Sequence, residues 1–186
     1  MTKIAIFASG SGSNTENIIE HFQGIEDVEV VLVLTNNKEA LVLERAAKYS
    51  VPTFTFSKDM LQNSSKVVDA LLKCNASIII LAGFLLKIPE SLVKLFPNRI
   101  VNIHPALLPK YGGKGMYGIN VHRAVVGNNE KESGITIHYV NEQYDEGEYI
   151  FQTSCVVLNS DTPEVVQEKV QELEIIHFPS VIESIL

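Results

Sequence analysis

The sequence predicts a single α/β domain of Rossmann-like type, in which helices cover both faces of a mostly parallel sheet that ends in a C-terminal antiparallel hairpin. Three observations carry this. Short, wholly apolar runs such as IAIFA and SIIIL recur, as expected of strands buried on both faces. Longer amphipathic stretches separate them, in the alternation that marks βαβ units. In the second half, two strand-like runs are joined by the polar turn NEQYDEG, which is too short for a crossover helix. The 186 residues suit one domain with a genuine core.

In chain order, Lys3–Ala8 reads as a buried strand that runs into the loop Ser9–Ser13 and a helix from about Asn14 to Phe22. Val28–Thr35 is a second strand. Glu39–Lys48 is a helix with Leu41, Leu43, Ala46 and Ala47 available for packing. Thr53–Phe56 alternates as a short third strand, and Asp59–Leu72 reads as one helix carrying Met60, Val67, Val68, Leu71 and Leu72 at roughly helical spacing. Ser77–Ala82 and Ile100–Ile103 are the fourth and fifth strands, with a helix near Pro89–Leu95 between them. A Gly/Pro-rich loop over 104–120 precedes a helix at Val121–Val126, and Gly134–Val140 and Glu148–Val157 form the hairpin. Thr162-Pro163-Glu164 opens the last helix with a capping residue and a first-turn proline, and Pro179 should kink or end it. No internal repeat or low-complexity linker divides the chain.

Composition narrows the function. Hydrophobic residues make up 46% and charged residues 20%, an ordinary globular balance. Fifteen Lys+Arg against 22 Asp+Glu give a formal charge of −7, opposite to what binding of nucleic acid or an anionic membrane demands. Neither is expected as a partner, and any anionic ligand must be held by local geometry. Cys74 and Cys155 lie far apart, which supports neither a disulfide framework nor a cysteine zinc site, and the histidines lack metal-ligand spacing. No metal is assigned. The N-terminal apolar run flows into a glycine loop without a cleavage region, and no stretch approaches the about 18 apolar residues of a membrane span, so a cytoplasmic protein is expected.

Two motifs carry chemistry. Ser9-Gly10-Ser11-Gly12-Ser13-Asn14 joins the first strand to the first helix, where glycines let the backbone approach an anion and the helix N-terminus offers free N–H groups. The loop fits a phosphomonoester, with Ser13 and Asn14 as added donors, or else a tight turn whose Ser and Asn are helix caps. A dinucleotide does not fit. The third glycine of GxGxxG falls at Thr15, and the second strand ends Leu34-Thr35-Asn36-Asn37 without an acidic residue. The second motif, Asn102-Ile103-His104-Pro105, lies at the carboxyl end of the fifth strand, where open α/β sheets place ligands, and strand alternation points Asn102 and His104 to one side. An amide donor beside an imidazole suits acyl-type transfer, although both residues could equally satisfy backbone groups before Pro105. Asp145 could orient the imidazole, but an aspartate two residues before Gly147 is more simply a turn residue. His21, His122, His138 and His177 read as surface or packing residues. Glu174 shares a helix stripe with Val166 and Val170, which points its carboxylate inward and demands a partner for it.

Taken together, the start KIAIFASGSGSN, the blocks LAGFLLKIP, NIHPALLPKYGG, HRAV and SGITIHYV, and Asp145 followed by EG resemble the phosphoribosylglycinamide formyltransferases, folate-dependent enzymes of purine biosynthesis. The marks run in order through nearly the whole chain. The resemblance implies a formyltransferase domain over residues 1–186. Residues 1–100 would form its phosphate-binding half and 101–186 its catalytic and folate-binding half. It implies 10-formyltetrahydrofolate as co-substrate and glycinamide ribonucleotide as formyl acceptor. Gly12, Ser13 and Asn14 would bind the ribonucleotide phosphate and Glu174 its ribose. Leu85, Leu86, Lys87, Ile88 and Asn102 would contact the folate, and Asn102, His104 and Asp145 would form the catalytic trio. Two departures stand out: an arginine of the family's folate site falls at Ser65, beside Lys66, and the loop GGKGMYG over Gly112–Gly118 is longer and richer in glycine. A monomer or homodimer is expected. The alternatives are a formyltetrahydrofolate hydrolase, which shares the Asn–His–Asp chemistry, and a non-catalytic phosphate-binding module.

Overall fold

In the computed structural model, which describes residues 1–186, the apolar runs become β1 (Thr2–Phe7), β2 (Val28–Thr35), β3 (Thr53–Thr55), β4 (Ile78–Leu81), β5 (Ile100–His104), β6 (Glu132–Tyr139) and β7 (Tyr149–Val156). The helices are α1 (Ser13–Phe22), α2 (Val42–Lys48), α3 (Lys58–Asn63), α4 (Lys66–Lys73), α5 (Glu90–Leu95), α6 (Ile119–Gly127) and α7 (Pro163–Ser184). The strands form one sheet in the order β3-β2-β1-β4-β5-β6-β7. β1 runs parallel to β2 and β4, β2 parallel to β3, and β6 antiparallel to β7. This is the α/β architecture the apolar runs predict. No helix is long and apolar enough to cross a membrane. The chain divides into two compact units, Met1–Val101 and Asn102–Leu186.

In the first unit, Ile4 to Phe7 of β1 and Ile79 and Ile80 of β4 are wholly buried, which is why these strands are apolar on both faces. The chain builds outward from β1 through β2 to β3, then returns to place β4 on the other side of β1. The loops leaving β1 and β4 therefore diverge at a topological switch point, where α/β sheets open a crevice. One is the glycine loop and the other is the segment 82–88. Their bases are tied together: Ser9 N–H donates to the Gly83 carbonyl at 3.1 Å, and the Ser9 hydroxyl accepts from Leu85 N–H at 3.0 Å while donating to Asn36 Oδ1 at 2.6 Å. Phe84 packs its ring 5.2 Å from Phe7 and 6.0 Å from Phe56, anchoring the second segment over the core.

One helical expectation is corrected and another narrowed. The single helix over Asp59–Leu72 is two, α3 and α4, because Ser64 turns to extended backbone and its hydroxyl accepts from Lys66 N–H at 3.2 Å. Serine offers the backbone a local partner that competes with the helix ladder. Pro179 does not end α7, which continues to Ser184. An interior proline costs about 3 kcal/mol, but Phe178, Val181 and Ile182 are buried around it, at about 1.5–3 kcal/mol each.

In the second unit, α7 lays Val166, Val170, Phe178 and Ile182 inward, and the Thr162 hydroxyl caps its start by accepting from Val165 N–H. Between β5 and α6 the backbone is irregular over 105–118, and buried Thr136 on β6 fixes it. The Thr136 hydroxyl donates to the Ala106 carbonyl at 2.7 Å and accepts from Leu108 N–H at 3.0 Å. Gln152 Nε2 on β7 donates to both the Leu108 carbonyl and Thr136 Oγ1, at 3.1 and 2.8 Å.

Gly12 sits at φ 76°, and a Cβ there would lie 2.6 Å from Cβ of buried Val42 at the start of α2. A side chain at this position meets α2, so Gly12→Val disturbs packing before it can disturb any anion. We expect Gly12→Val to lower stability by about 3 kcal/mol, from left-handed strain and overpacking. Thermal denaturation reads this directly, and a native melting curve would mean that α2 does not close on the loop.

Candidate active site

The second unit gathers four polar side chains. Asn102 and His104 come from β5, the half-buried amide and the 4%-exposed imidazole two residues apart on one side of the strand. Asp145 projects from the turn between β6 and β7, at φ 55° and with its side chain 12% exposed. His138, from β6, is 2% exposed. The Asp145 carboxylate bridges the two rings: Oδ2 lies 3.6 Å from His104 Nδ1, and Oδ1 lies 3.6 Å from His138 Nε2. Gly113 N–H donates to Oδ2 at 2.8 Å.

Hydrogen bonding sets the tautomers. His104 Nε2 lies 2.7 Å from the Tyr111 carbonyl, which can only accept, so Nε2 carries the proton and Nδ1 faces Asp145. His138 Nδ1 donates to the Tyr139 carbonyl at 2.9 Å. This leaves its Nε2 to accept from Asn102 Nδ2 at 3.1 Å while the ring is neutral.

Charge follows the same geometry. Burial pushes the His104 imidazole below its ordinary 6.5; the Asp145 carboxylate and the Tyr111 carbonyl pull upward without recovering it, and His138 adds to the fall. The upward pull that Asp145 exerts is therefore present but outweighed. Burial alone would raise Asp145, yet His138 and His104, through the charge each carries once protonated, and Gly113 N–H together hold the carboxyl below its usual range. The pair is set as a carboxylate beside a neutral imidazole. His122, on α6, is 2% exposed with no hydrogen-bond partner at Nδ1, and burial with His104 nearby lowers it to about 4.

The sequence reading missed His138 by classing it with the packing histidines. The signal was available: Thr136 and His138 alternate with Ile135 and Ile137, and two polar residues on one face of a buried strand imply polar work on that face.

The other candidate residues are placed as follows. Gly12 caps α1 in left-handed backbone, Ser13 opens the helix exposed to solvent, and Asn14 is 9% exposed. In the segment after β4, Leu85 is 50% exposed, Leu86 half-buried and Lys87 exposed, while Ile88 turns into the core. Glu174 lies on the stripe between buried Val170 and Phe178, but is itself half-exposed rather than buried. A carboxylate in that stripe keeps an opening to water, because closing it would cost more than the packing returns. Ser65 spends its hydroxyl on Asp69 at 2.7 Å.

Comparison with known proteins decides the family. Residues 2–182 match the formyl transferase family model. The chain belongs to that family. It is 44% identical over 174 residues to the chloroplastic phosphoribosylglycinamide formyltransferase of Arabidopsis thaliana, a match covering 90% of this chain and 60% of the relative. The chain likewise spans 60% of the Vigna unguiculata relative. The Bacillus subtilis phosphoribosylglycinamide formyltransferase is 34% identical, with 100% of this chain and 95% of that protein covered. Among solved structures, the phosphoribosylglycinamide formyltransferase of Bacillus halodurans superposes with a TM-score of 0.89 at 32% identity, covering 100% of this chain and 95% of that one.

The buried histidines make acid stability measurable. His122 is held neutral in the folded chain down to about pH 4, whereas an unfolded imidazole protonates near 6.5. The unfolded state therefore binds the extra proton between these values, and stability falls as pH drops from 6.5 towards 4. We expect the difference in denaturation midpoint between wild type and His122→Gln to shrink across that interval on acidification. A difference independent of pH would mean that His122 takes up its proton as readily in the folded chain as in the unfolded one.

Proposed function

We propose that this chain transfers the formyl group of 10-formyltetrahydrofolate to the amine of glycinamide ribonucleotide, a step of purine biosynthesis. The observation that carries the reading is the contact of Asp145 with His104, beside Asn102, in a member of the formyl transferase family. The named relatives support the choice of substrates.

In the proposed reaction the ribonucleotide amine attacks the formyl carbon, and the carbonyl electrons move onto oxygen. Asn102 gives one Nδ2 hydrogen to His138 and keeps the other for that oxygen. His104 begins neutral, with Nε2–H committed to Tyr111, so Nδ1 takes the proton released by the amine. The resulting imidazolium is stabilised by Asp145 and by the developing oxyanion. It returns the proton to the departing folate nitrogen as the intermediate collapses. The N–H groups that open α1, with Ser13 and Asn14, would hold the phosphate. Glu174 would meet the ribose, and Leu85 to Ile88 would line the pterin site. A hydrolase would share the carboxylate–imidazole pair but has no use for a phosphate loop, and a bare phosphate-binding module would leave Asn102, His104 and Asp145 without a purpose.

Deformylation of 10-formyl-5,8-dideazafolate, followed optically with and without glycinamide ribonucleotide, tests the reading. Turnover that needs the ribonucleotide and yields formylated product by mass supports the transferase. Equal turnover without it means a hydrolase. In the same assay Asp145→Asn should lower kcat by about 10²–10⁴-fold, the usual worth of the acid–base step whose imidazolium Asp145 stabilises, while the affinity for the folate analogue measured by calorimetry stays near native. Asn14→Ala should instead raise KM for the ribonucleotide with kcat little changed, because the backbone donors survive the substitution. A near-native kcat in Asp145→Asn would remove that residue from the mechanism.

A further inference from the structure

Tyr111 is the least expected residue in the second unit. It lies at φ 57°, left-handed backbone that a residue with a Cβ rarely adopts, and its carbonyl is the group that fixes the His104 tautomer. Two residues further on, Gly113 N–H holds Asp145. One short turn thus orients both members of the pair. A side chain on Gly112 between them would crowd the pair, since its Cβ would lie 2.6 Å from Leu108 Cδ2 and 3.3 Å from Asp145 Cβ.

Something must keep Tyr111 in this backbone state, and its own side chain does so. The phenol donates to Glu130 Oε1 at 2.9 Å, and Lys110 Nζ binds both oxygens of the same carboxylate at 2.9 and 3.2 Å. Burial and Glu130 keep the phenol a proton donor, while Lys110 and Tyr111 keep Glu130 ionised. Glu130 is itself anchored to a helix: it lies three residues past the end of α6, and its N–H donates to the Val125 carbonyl at 3.2 Å. The clamp therefore runs from the end of α6 through the Tyr111 ring to the His104 imidazole.

We propose that Glu130 is a positioning residue for His104: by holding the Tyr111 phenol it locks the Tyr111 carbonyl onto Nε2, leaving Nδ1 as the nitrogen that faces Asp145. This rests on the formyl-transfer reading for its catalytic consequence, though not for its structural one. Without the clamp Tyr111 relaxes towards ordinary backbone, its carbonyl leaves Nε2, and the imidazole loses its fixed tautomer. The charged or titratable groups around that ring are Asp145, His138 and His122, and none of them replaces the carbonyl.

The test compares Glu130→Ala, Glu130→Gln and Tyr111→Phe by steady-state kinetics and by ¹⁵N NMR of the His104 ring. Glu130→Ala and Tyr111→Phe should each lower kcat by about 10- to 100-fold, the scale of a small misplacement at a reacting centre. KM for both substrates should stay within about twofold, since no binding group is removed. Glu130→Gln, whose amide oxygen still accepts from the phenol, should recover most of the activity. The double variant Tyr111→Phe/Glu130→Ala should be no worse than either single one. Because the Tyr111 carbonyl raises the affinity of His104 for a proton, its loss should move the acid limb of the kcat profile to lower pH. By NMR, the Nε2–H form dominant in wild type should give way to a mixture in Glu130→Ala. An unchanged ring spectrum and kcat in a natively melting Glu130→Ala would overturn the proposal, as would a Glu130→Gln as slow as Glu130→Ala. Were the wild type to transfer no formyl group, the ring spectra alone would still decide the clamp, while the functional reading would fall separately.

Discussion

An ionised carboxylate held almost out of solvent is the constraint on which the second unit is built. Asp145 is only 12% exposed on its side chain, and a charge so placed is costly unless neighbours supply hydrogen bonds and opposite charge. Gly113 N–H donates to it directly, and His104 and His138 face it as rings that turn into cations once protonated. Each source places a demand on the chain. Gly113 reaches Asp145 from a loop that the Thr136 hydroxyl and Gln152 tie down at Ala106 and Leu108, with Gly112 leaving the approach uncrowded. His138 reaches it because the hairpin register sets β6 against β7, with His138 opposite Tyr149. The irregular loop, the hairpin and the turn are thus answers to one electrostatic problem.

Much of this was legible in residue order alone. β2 runs over Val28–Thr35 as its apolar run predicts, and α7 begins at the Thr162–Pro163 cap. The strands were readable because burial on both faces leaves few residue types available. Asn102 and His104 were readable as a pair because alternation along β5 puts them on one side, whereas Asp145 read more simply as a turn residue until the resemblance set it beside them. What was not legible has a local cause in one helix and a long-range cause in another. The break between α3 and α4 turns on how a serine hydroxyl competes with a helix ladder. The continuation of α7 through Pro179 turns on how deeply its neighbours are buried.

Gly12 and Glu174 teach the same lesson from opposite sides. Glycine at position 12 suggests a backbone cleared for an anion, yet its nearest obstacle is Val42, so α2 accounts for the residue before any ligand does. Glu174 sits on the inward stripe as its spacing indicates, but remains half-exposed. Periodicity gives direction without depth, and a carboxylate tolerates the direction only where water can follow. His138 was lost to a related error. Taken singly, a histidine in a strand is a packing residue; taken with Thr136 two positions away, it belongs to a polar seam.

The competition over His104 bears on how the proposed reaction can run. If the carboxylate won and the ring were protonated at rest, His104 could donate to an oxyanion but could not accept the proton of the attacking amine. Burial wins instead, so the ring waits as a base and Asp145 waits as an anion. The net charge of the pair then changes only when the amine gives up its proton, at the moment a negative oxygen forms beside it. The new imidazolium finds two anionic partners in a site from which water is largely excluded, where such attractions are strongest. A resting ion pair would have spent that stabilisation on the ground state, where it cannot lower a barrier. On this reading the depressed imidazole and the depressed carboxylate are parts of one arrangement, which holds the ion pair back until the transition state calls for it.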